Sequence, residues 1–482
     1  MNNIKKTILG GVFWTTVQTV INAGFGLIIQ LVLAKILFPR DFGIVGMAVV
    51  FISFIEVFNE LGMGSALIQK KKELLTPSHF DTAFWTGILW SSLLFLFIFL
   101  ITPFVADFYK EDQLNNILPI ISLSILLSPL SLVHKAKLTK AMSFKKLAII
   151  NNSSNIISGI TALILAFTGF GVWALVFHLI LRTAISIPLF FKATRWLPSM
   201  QWSKDCFKEI FGFGAYTTIT SLLNKISGKT DYLIIGKFVG ASALGYYAFA
   251  LIFTTTLRNQ LVSVINRVLY PVYVSVQDDK KKMLHLFLKI VSLNNLIVYP
   301  FIVGVFLFSQ EVVPAFFGDK WLDSIIIIKI LCFAVLFQML NNSHTTLLRA
   351  SGEVRLEFIL QLIKSLMFFV PSIILGVHFY GLTGAAIGFT VATFLSITLS
   401  FFFMNKVFDL KFKQIIVAVK VPLIMFVFCL ITTEFLKTLI DWRFCLIYYL
   451  IAVFVIYFWL AKTQIRSLFN EVKDSLRKNK RD

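Results

Sequence analysis

Fourteen apolar runs follow one another along this chain with only short polar breaks between them. By hydropathy they lie near 11–34, 42–68, 82–106, 114–133, 147–168, 171–191, 212–239, 244–268, 286–310, 321–348, 356–378, 381–405, 415–436 and 443–461. A hydrocarbon layer about 30 Å thick takes about 20 helical residues to cross. A chain inside it must also pair every backbone N–H and C=O within itself. Helices meet that demand and open sheets do not, so the sequence predicts an all-α polytopic membrane protein. Residues that are 57% hydrophobic and only 14% charged exclude a soluble globular domain. The longest connector, around 192–211, is only about twenty residues, which leaves no room for a soluble catalytic domain. Lys5 and Lys6 give the start a signal-like look, but the run after them is too long for a signal core and is read as a retained first span.

The formal net charge of +21 raises the question of nucleic acid, and the placement of the charges answers it. Of the 45 basic residues, 31 fall on one side of the alternating connectors and 7 on the other. The crowded side includes Lys70 to Lys72, Lys135 to Lys146, Lys280 to Lys282, Lys411, Lys413 and the tail from Lys462. The positive-inside rule puts that side, and both termini, in the cytoplasm. Most of the charge is therefore topogenic, and nucleic acid is not an expected partner. Cys206, Cys332, Cys429 and Cys445 show no paired spacing, so neither a disulfide framework nor a metal site is expected. There is no phosphate loop, nucleophile elbow or paired-carboxylate signature; the chain reads as a non-enzyme without a cofactor. Two stretches have interfacial character. One is Arg195-Trp196-Leu197-Pro198 through Trp202 and Phe207; the other is the tail, with Ile465, Leu468, Phe469, Val472 and Leu476 on one face.

The chain also repeats. A shift of 202 residues aligns Gly10 with Gly212, Thr15-Thr16 with Thr217-Thr218, Asn22 with Asn224, Gly26 with Gly228, Lys35 with Lys237, Gly43 with Gly245, Ala48 with Ala250 and Phe51 with Phe253. Six spans per copy keep the copies in one orientation, the plan of transporters with two rocking lobes. The expected division is an N-lobe over 1–210, a C-lobe over 211–410, two further spans over 411–462 and a basic tail over 463–482.

Seven basic residues lie inside the spans: Arg182, Lys225, Lys229, Arg258, Lys329, Lys364 and Lys420. Lys329, Lys364 and Lys420 sit near span ends, where a lysine can snorkel to water. Arg182, Lys225, Lys229 and Arg258 sit near mid-span, where a charge costs enough to need a cavity or a partner. Only Glu56, Glu60 and Asp231 oppose them at similar depth. The interior keeps surplus positive charge, which points to an anionic ligand. Arg182, Lys225, Lys229 and Arg258, with Asn224 and its repeat mate Asn22, are the candidate cargo-binding residues. Glu56, Glu60 and Asp231 are the candidate coupling or gating residues. Asp231 has Ile29 as its repeat counterpart, and its partner is expected on another helix. The shift places Glu56 on Arg258, so the two copies carry opposite charges at one depth. His178, four residues before Arg182, and His344 read as packed, hydrogen-bonded residues.

Several motifs carry a family resemblance. Leu37-Phe38-Pro39-Arg40-Asp41-Phe42-Gly43 and Asn59-Glu60-Leu61-Gly62-Met63-Gly64-Ser65-Ala66-Leu67-Ile68-Gln69 resemble the start of bacterial polysaccharide exporters. These are the Wzx-type flippases of the multidrug/oligosaccharidyl-lipid/polysaccharide superfamily. Lys137 to Lys145, Thr230 to Phe238, Leu244-Gly245-Tyr246-Tyr247 and Leu347 to Gly352 extend the similarity over roughly 5–410. The resemblance implies two six-helix lobes around a cavity open to one side at a time. It also implies an undecaprenyl-diphosphate-linked oligosaccharide as cargo, moved from the cytoplasmic to the outer leaflet among membrane lipids. A polysaccharide polymerase and export machinery would be the protein partners. A drug or metabolite antiporter of the same superfamily is the alternative, and it needs an acidic rather than a cationic interior. A polysaccharide polymerase or ligase is a further alternative, and it needs a large external loop.

Overall fold

The computed structural model of the chain describes residues 2–455 apart from 60, 61, 212–227, 275, 341 and 342. Glu60, Asn224, Lys225, most of the seventh apolar run and the basic tail therefore lie outside the described residues.

The described chain is helical, and ten of its helices are long and apolar enough to cross a membrane. They lie in two compact units, residues 1–248 and 249–482. In the first, α1 (Asn2–Ile36), α2 (Pro39–Asn59) and α3 (Met63–Gln69) precede α4 (Pro77–Tyr109), α5 (Leu114–Leu127) and α6 (Pro129–Lys140). Then come α7 (Phe144–Phe167), α8 (Val172–Thr194), α9 (Thr230–Phe238) and the opening of α10 (Ala241–Val274). The helix starts follow local rules. Pro39 opens α2, and the Asp41 carboxylate accepts the Phe38 N–H at 2.9 Å, so an acid in the first turn satisfies a free donor. Pro77 opens α4 in the same manner, with the Thr76 N–H donated to His79 Nδ1 at 3.2 Å.

α7 packs on α8 and on α1, and α4 packs on α5. α4 turns Leu89, Leu93, Leu96, Phe97, Leu100 and Phe104 outward, each at least half exposed. A stripe of that size is covered by lipid in a membrane-spanning chain. The connector after α8 is tied to the start of α4. Ser199 donates its N–H and Oγ–H to Asp81 at 3.0 and 2.5 Å, Trp85 donates to the Ser199 carbonyl at 2.7 Å, and Trp202 donates to Thr86 Oγ1 at 3.0 Å. Leu197 and Met200 stay 75% and 88% exposed, so the anchored strap keeps an apolar surface. Glu209 at its far end pairs with Lys70 and with His79 Nε2, and these partners hold its carboxyl below the usual carboxylate range.

The repeat is visible in the helix ends. α1 ends at Ile36 and α9 at Phe238, while α2 begins at Pro39 and α10 at Ala241, each pair 202 residues apart. These two helix starts touch. A Cβ added to Gly43 would lie 1.7 Å from the Ala241 carbonyl oxygen, and one added to Gly245 would lie 1.8 Å from the Pro39 carbonyl oxygen. Pro39 and Ala241 are themselves repeat mates, so the contact is two-fold symmetric. Only glycine at both positions permits backbones this close.

The second unit holds the rest of α10, then α11 (Lys280–Phe317), α12 (Asp323–Met339), α13 (His344–Ala350) and α14 (Val354–Ile363). A π-helical turn over Lys364–Phe369 leads into α15 (Val370–Phe408), followed by α16 (Phe412–Lys437) and α17 (Trp442–Val455). α15 is two helices. Tyr380 and Gly381 break it, Gly381 with φ 54° and ψ −130°, a conformation that needs glycine. The break falls between the runs expected at 356–378 and 381–405. Phe249 stacks on Trp321 with ring centroids 4.1 Å apart, and Asn295 donates to the Met339 carbonyl at 3.2 Å across α11 and α12.

One expectation fails here. Lys364 does not snorkel: it is 7% exposed and hydrogen-bonds to His344 Nε2 at 2.8 Å. The π-turn starts at this residue, and the His344 ring is its hydrogen-bond partner. The span expected to end at 133 also continues, through Ser128 and Pro129, to Lys140.

Candidate functional site

A polar cavity of about 320 Å³ opens in the first unit, with walls from α2, α5, α6, α7 and α8. Its charged residues are Glu56 on α2, Lys135 on α6 and Arg182 on α8, and all three are exposed to it. Two cations against one carboxylate leave the wall net positive. Arg182 forms no ion pair among the described residues. The Lys135 ammonium lies 5.6 Å from the Phe190 ring centroid, near enough for a cation–π contact that restrains the side chain.

The uncharged part of the wall mixes apolar side chains, among them Val49, Ile52, Ile121 and Leu179, with hydroxyls and an amide, among them Ser53, Ser124, Asn151, Ser154 and Ser186. Each of the four serines donates its proton to a carbonyl of its own helix. Ser53 bonds Val50 at 2.8 Å, Ser124 bonds Ile121 at 2.7 Å, Ser154 bonds Ile150 at 2.9 Å and Ser186 bonds Thr183 at 2.7 Å. Once the proton is committed, the oxygen faces the cavity as an acceptor. Asn22 Oδ1 on α1 and Asn152 Oδ1 on α7 are buried with no hydrogen-bond partner among the described residues, and neither side chain is part of the cavity lining. The cavity therefore offers cations to an anion and oxygen acceptors to a ligand rich in hydroxyl donors.

Of the residues read from the sequence, Arg182 and Glu56 meet in this cavity. Asp231 and Lys229 belong to a separate cluster in the same unit. The Asp231 carboxylate accepts the Tyr247 hydroxyl at 3.0 Å from the following helix and the Tyr232 N–H at 2.9 Å. The Lys229 ammonium sits 4.4 Å from the Tyr232 ring centroid. Arg258 is in the second unit, where it donates to Asn259 Oδ1 at 3.1 Å and keeps its Nε buried without a partner among the described residues. Lys225, Asn224 and Glu60 lie outside the described residues.

Lys135, Asn151 and Ser154 were not singled out by sequence reasoning. Lys135 reads as topogenic because the apolar run before it stops near 133. The other two had a signal: Asn151-Asn152-Ser153-Ser154-Asn155 is a polar run inside an otherwise apolar helix, a placement a lipid-facing surface does not tolerate.

The family model described as Polysaccharide biosynthesis protein matches residues 32–326, which include every wall of this cavity. The chain is 26% identical over 425 residues to the Lipopolysaccharide biosynthesis protein WzxC of Escherichia coli K12, covering 87% of this chain and 85% of that protein. It is 25% identical over 360 residues to the Teichuronic acid biosynthesis protein TuaB of Bacillus subtilis 168, covering 74% of each. Among solved structures, the Lipid II flippase MurJ in an inward closed conformation matches with a TM-score of 0.74 at 17% identity, over 95% of this chain and 100% of that one. An inward-facing multidrug resistance MATE family transporter of the MOP superfamily matches at 0.64 and 15% identity, over 80% of this chain and 94% of that one. These two are likenesses of fold.

Proposed function

Because this chain belongs to the polysaccharide biosynthesis protein family, we propose that it is a flippase for a polyprenyl-diphosphate-linked oligosaccharide, moved from the cytoplasmic to the outer leaflet. The observation that carries the reading is the net positive, hydroxyl-lined cavity around Arg182, Lys135 and Glu56. A diphosphate is the anion those two cations match, and a guanidinium holds it through paired hydrogen bonds. Sugar hydroxyls are donors, and Ser53, Ser124, Ser154 and Ser186 present acceptor oxygens to them. The polyprenyl tail needs no polar site and stays in lipid. The names of WzxC and TuaB, and the flippase MurJ among the fold neighbours, agree with this cargo class.

Transport follows by alternating access. The repeats over 1–210 and 211–410 are the moving bodies, and the basic connectors set the cytoplasmic side, with both termini there. The α2–α10 contact at Gly43 and Gly245 then lies at the outer end, where its parting releases cargo. Asp231, held by Tyr247, is the coupling candidate. The polymerase and export machinery that take up the flipped cargo are the protein partners. Depletion in the host cell tests this reading. Lipid-linked oligosaccharide building up in the cytoplasmic leaflet supports a flippase, whereas unpolymerised units building up in the outer leaflet refute it.

A further inference from the structure

The second unit contains a different cavity, of about 470 Å³, at the helix ends that carry the basic connectors. His285 and Lys289 reach it from α11, one helical turn apart. Lys411 and Lys413 reach it from the start of α16, more than a hundred residues later in the chain. No carboxylate is among its lining residues. Its exposed wall and floor are almost wholly apolar, so the lysines line it with their stems, beside Leu288 and Val417, and carry their ammonium groups at its edge. Val417 is 63% exposed on the outward face of α16, so the floor continues onto the lipid-facing surface.

We propose that this cavity holds an anionic phospholipid, with its phosphate among the lysines at the edge and its apolar part against the wall. The argument is one of matched halves. Three lysines and a histidine from two elements far apart in sequence stand around one apolar pocket, and no carboxylate lines it. A phosphate diester answers that charge. A free anion has no use for the apolar floor, and a neutral lipid has no use for the lysines; a lipid with one net negative charge uses both. Basic pockets between helices at the membrane boundary hold such headgroups by this combination. The α16 N-terminus adds the positive end of a 26-residue helix beside Lys411. A headgroup held here pins α11 to α16.

The test uses the full chain purified in a neutral detergent, with the rise in unfolding temperature measured against added short-chain phosphatidylglycerol, phosphatidylcholine or inorganic phosphate. Phosphatidylglycerol should raise it saturably, and the other two should not. In Lys289→Gln/Lys411→Gln/Lys413→Gln the half-saturating phosphatidylglycerol concentration should rise on the order of a hundredfold, the product of three lysine–headgroup contributions. Lys71→Gln/Lys204→Gln/Lys281→Gln, which removes the same charge elsewhere, should leave it unchanged. Val417→Trp, which fills the floor and keeps every charge, should also weaken binding, and it stands in if the first triple does not fold. A full shift from inorganic phosphate, an equal shift from phosphatidylcholine, or equal weakening in both triples would overturn the proposal.

Discussion

Substituting Gly43 and Gly245 tests the symmetric contact directly. A Cβ on either would sit 1.7 or 1.8 Å from a carbonyl oxygen of the facing helix. Ordinary contact begins at about 3.4 Å, so α2 and α10 must part by roughly 1.5 Å to admit one methyl. The obstructing atoms are backbone oxygens, which cannot rotate away. Overpacking costs about 1–3 kcal/mol in general, and this geometry belongs at about 3. The two clashes share one remedy, because a single displacement clears both carbonyls. Gly43→Ala and Gly245→Ala should each cost about 3 kcal/mol, and the double variant about the same rather than their sum. Gly46→Ala, on the same helix, is the control. Its Cβ would meet only the Leu244 side chain at 3.4 Å and the Tyr232 ring at 3.5 Å, and it should cost well under about 1 kcal/mol. Detergent-induced unfolding of the four purified variants gives these values. Additive losses in the double variant, or a Gly46→Ala loss as large as that of Gly43→Ala, would refute the shared-contact reasoning.

Arg182→Ala and Lys135→Ala should each lower export by about ten- to a hundredfold, the worth of one charge-assisted hydrogen bond of about 1.5–3 kcal/mol, with the protein still present in the membrane by immunoblot. His344→Leu removes the acceptor of the buried Lys364 ammonium and should cost about 3 kcal/mol, while Lys364→Met should be close to neutral and should rescue His344→Leu in thermal unfolding. Glu209 has its carboxyl held low by Lys70 and His79, so its hold on the strap is present at neutral pH and is lost as pH falls through that lowered value. Hydrogen exchange across 195–211 should show protection fading as pH falls below the carboxylate range, and Glu209→Gln should flatten that profile. Asp231→Asn should change the pH or sodium dependence of export; an unchanged dependence leaves the acid only a structural bond to Tyr247.

Hydropathy is a property of each segment alone, and segment-level features were legible. Among the described residues ten helices are long and apolar enough to cross a membrane, and the turn at Tyr380–Gly381 lies where two apolar runs part. The 202-residue shift reappears in the ends of α1 and α9 and the starts of α2 and α10. What the sequence hid depends on partners. Lys364 lies near the start of a span and looks free to reach water, yet His344 on the preceding helix draws it in. Lys135 looked like one lysine of a topogenic group because the charge made the span seem to stop; Pro129 instead starts a further helix that carries it into the cavity wall. Arg182 and Glu56 were legible because a charge at mid-span has few places to go. That they share one cavity was not, since it depends on how α2 and α8 pack. Gly43 and Gly245 were visible as repeat mates, but their touching is a fact of packing alone.

The central claim is that this chain moves a lipid-linked oligosaccharide between leaflets through a cationic cavity. Its most direct measurement uses vesicles that carry polyprenyl-diphosphate-linked oligosaccharide in both leaflets, with an external glycosidase reporting the accessible fraction over time. With the reconstituted protein, the protected inner pool should drain into the accessible one. With Arg182→Ala/Lys135→Ala, the pool should drain far more slowly at equal protein incorporation. A protected pool that persists as it does in protein-free vesicles, or drains equally with the double variant, would contradict the account.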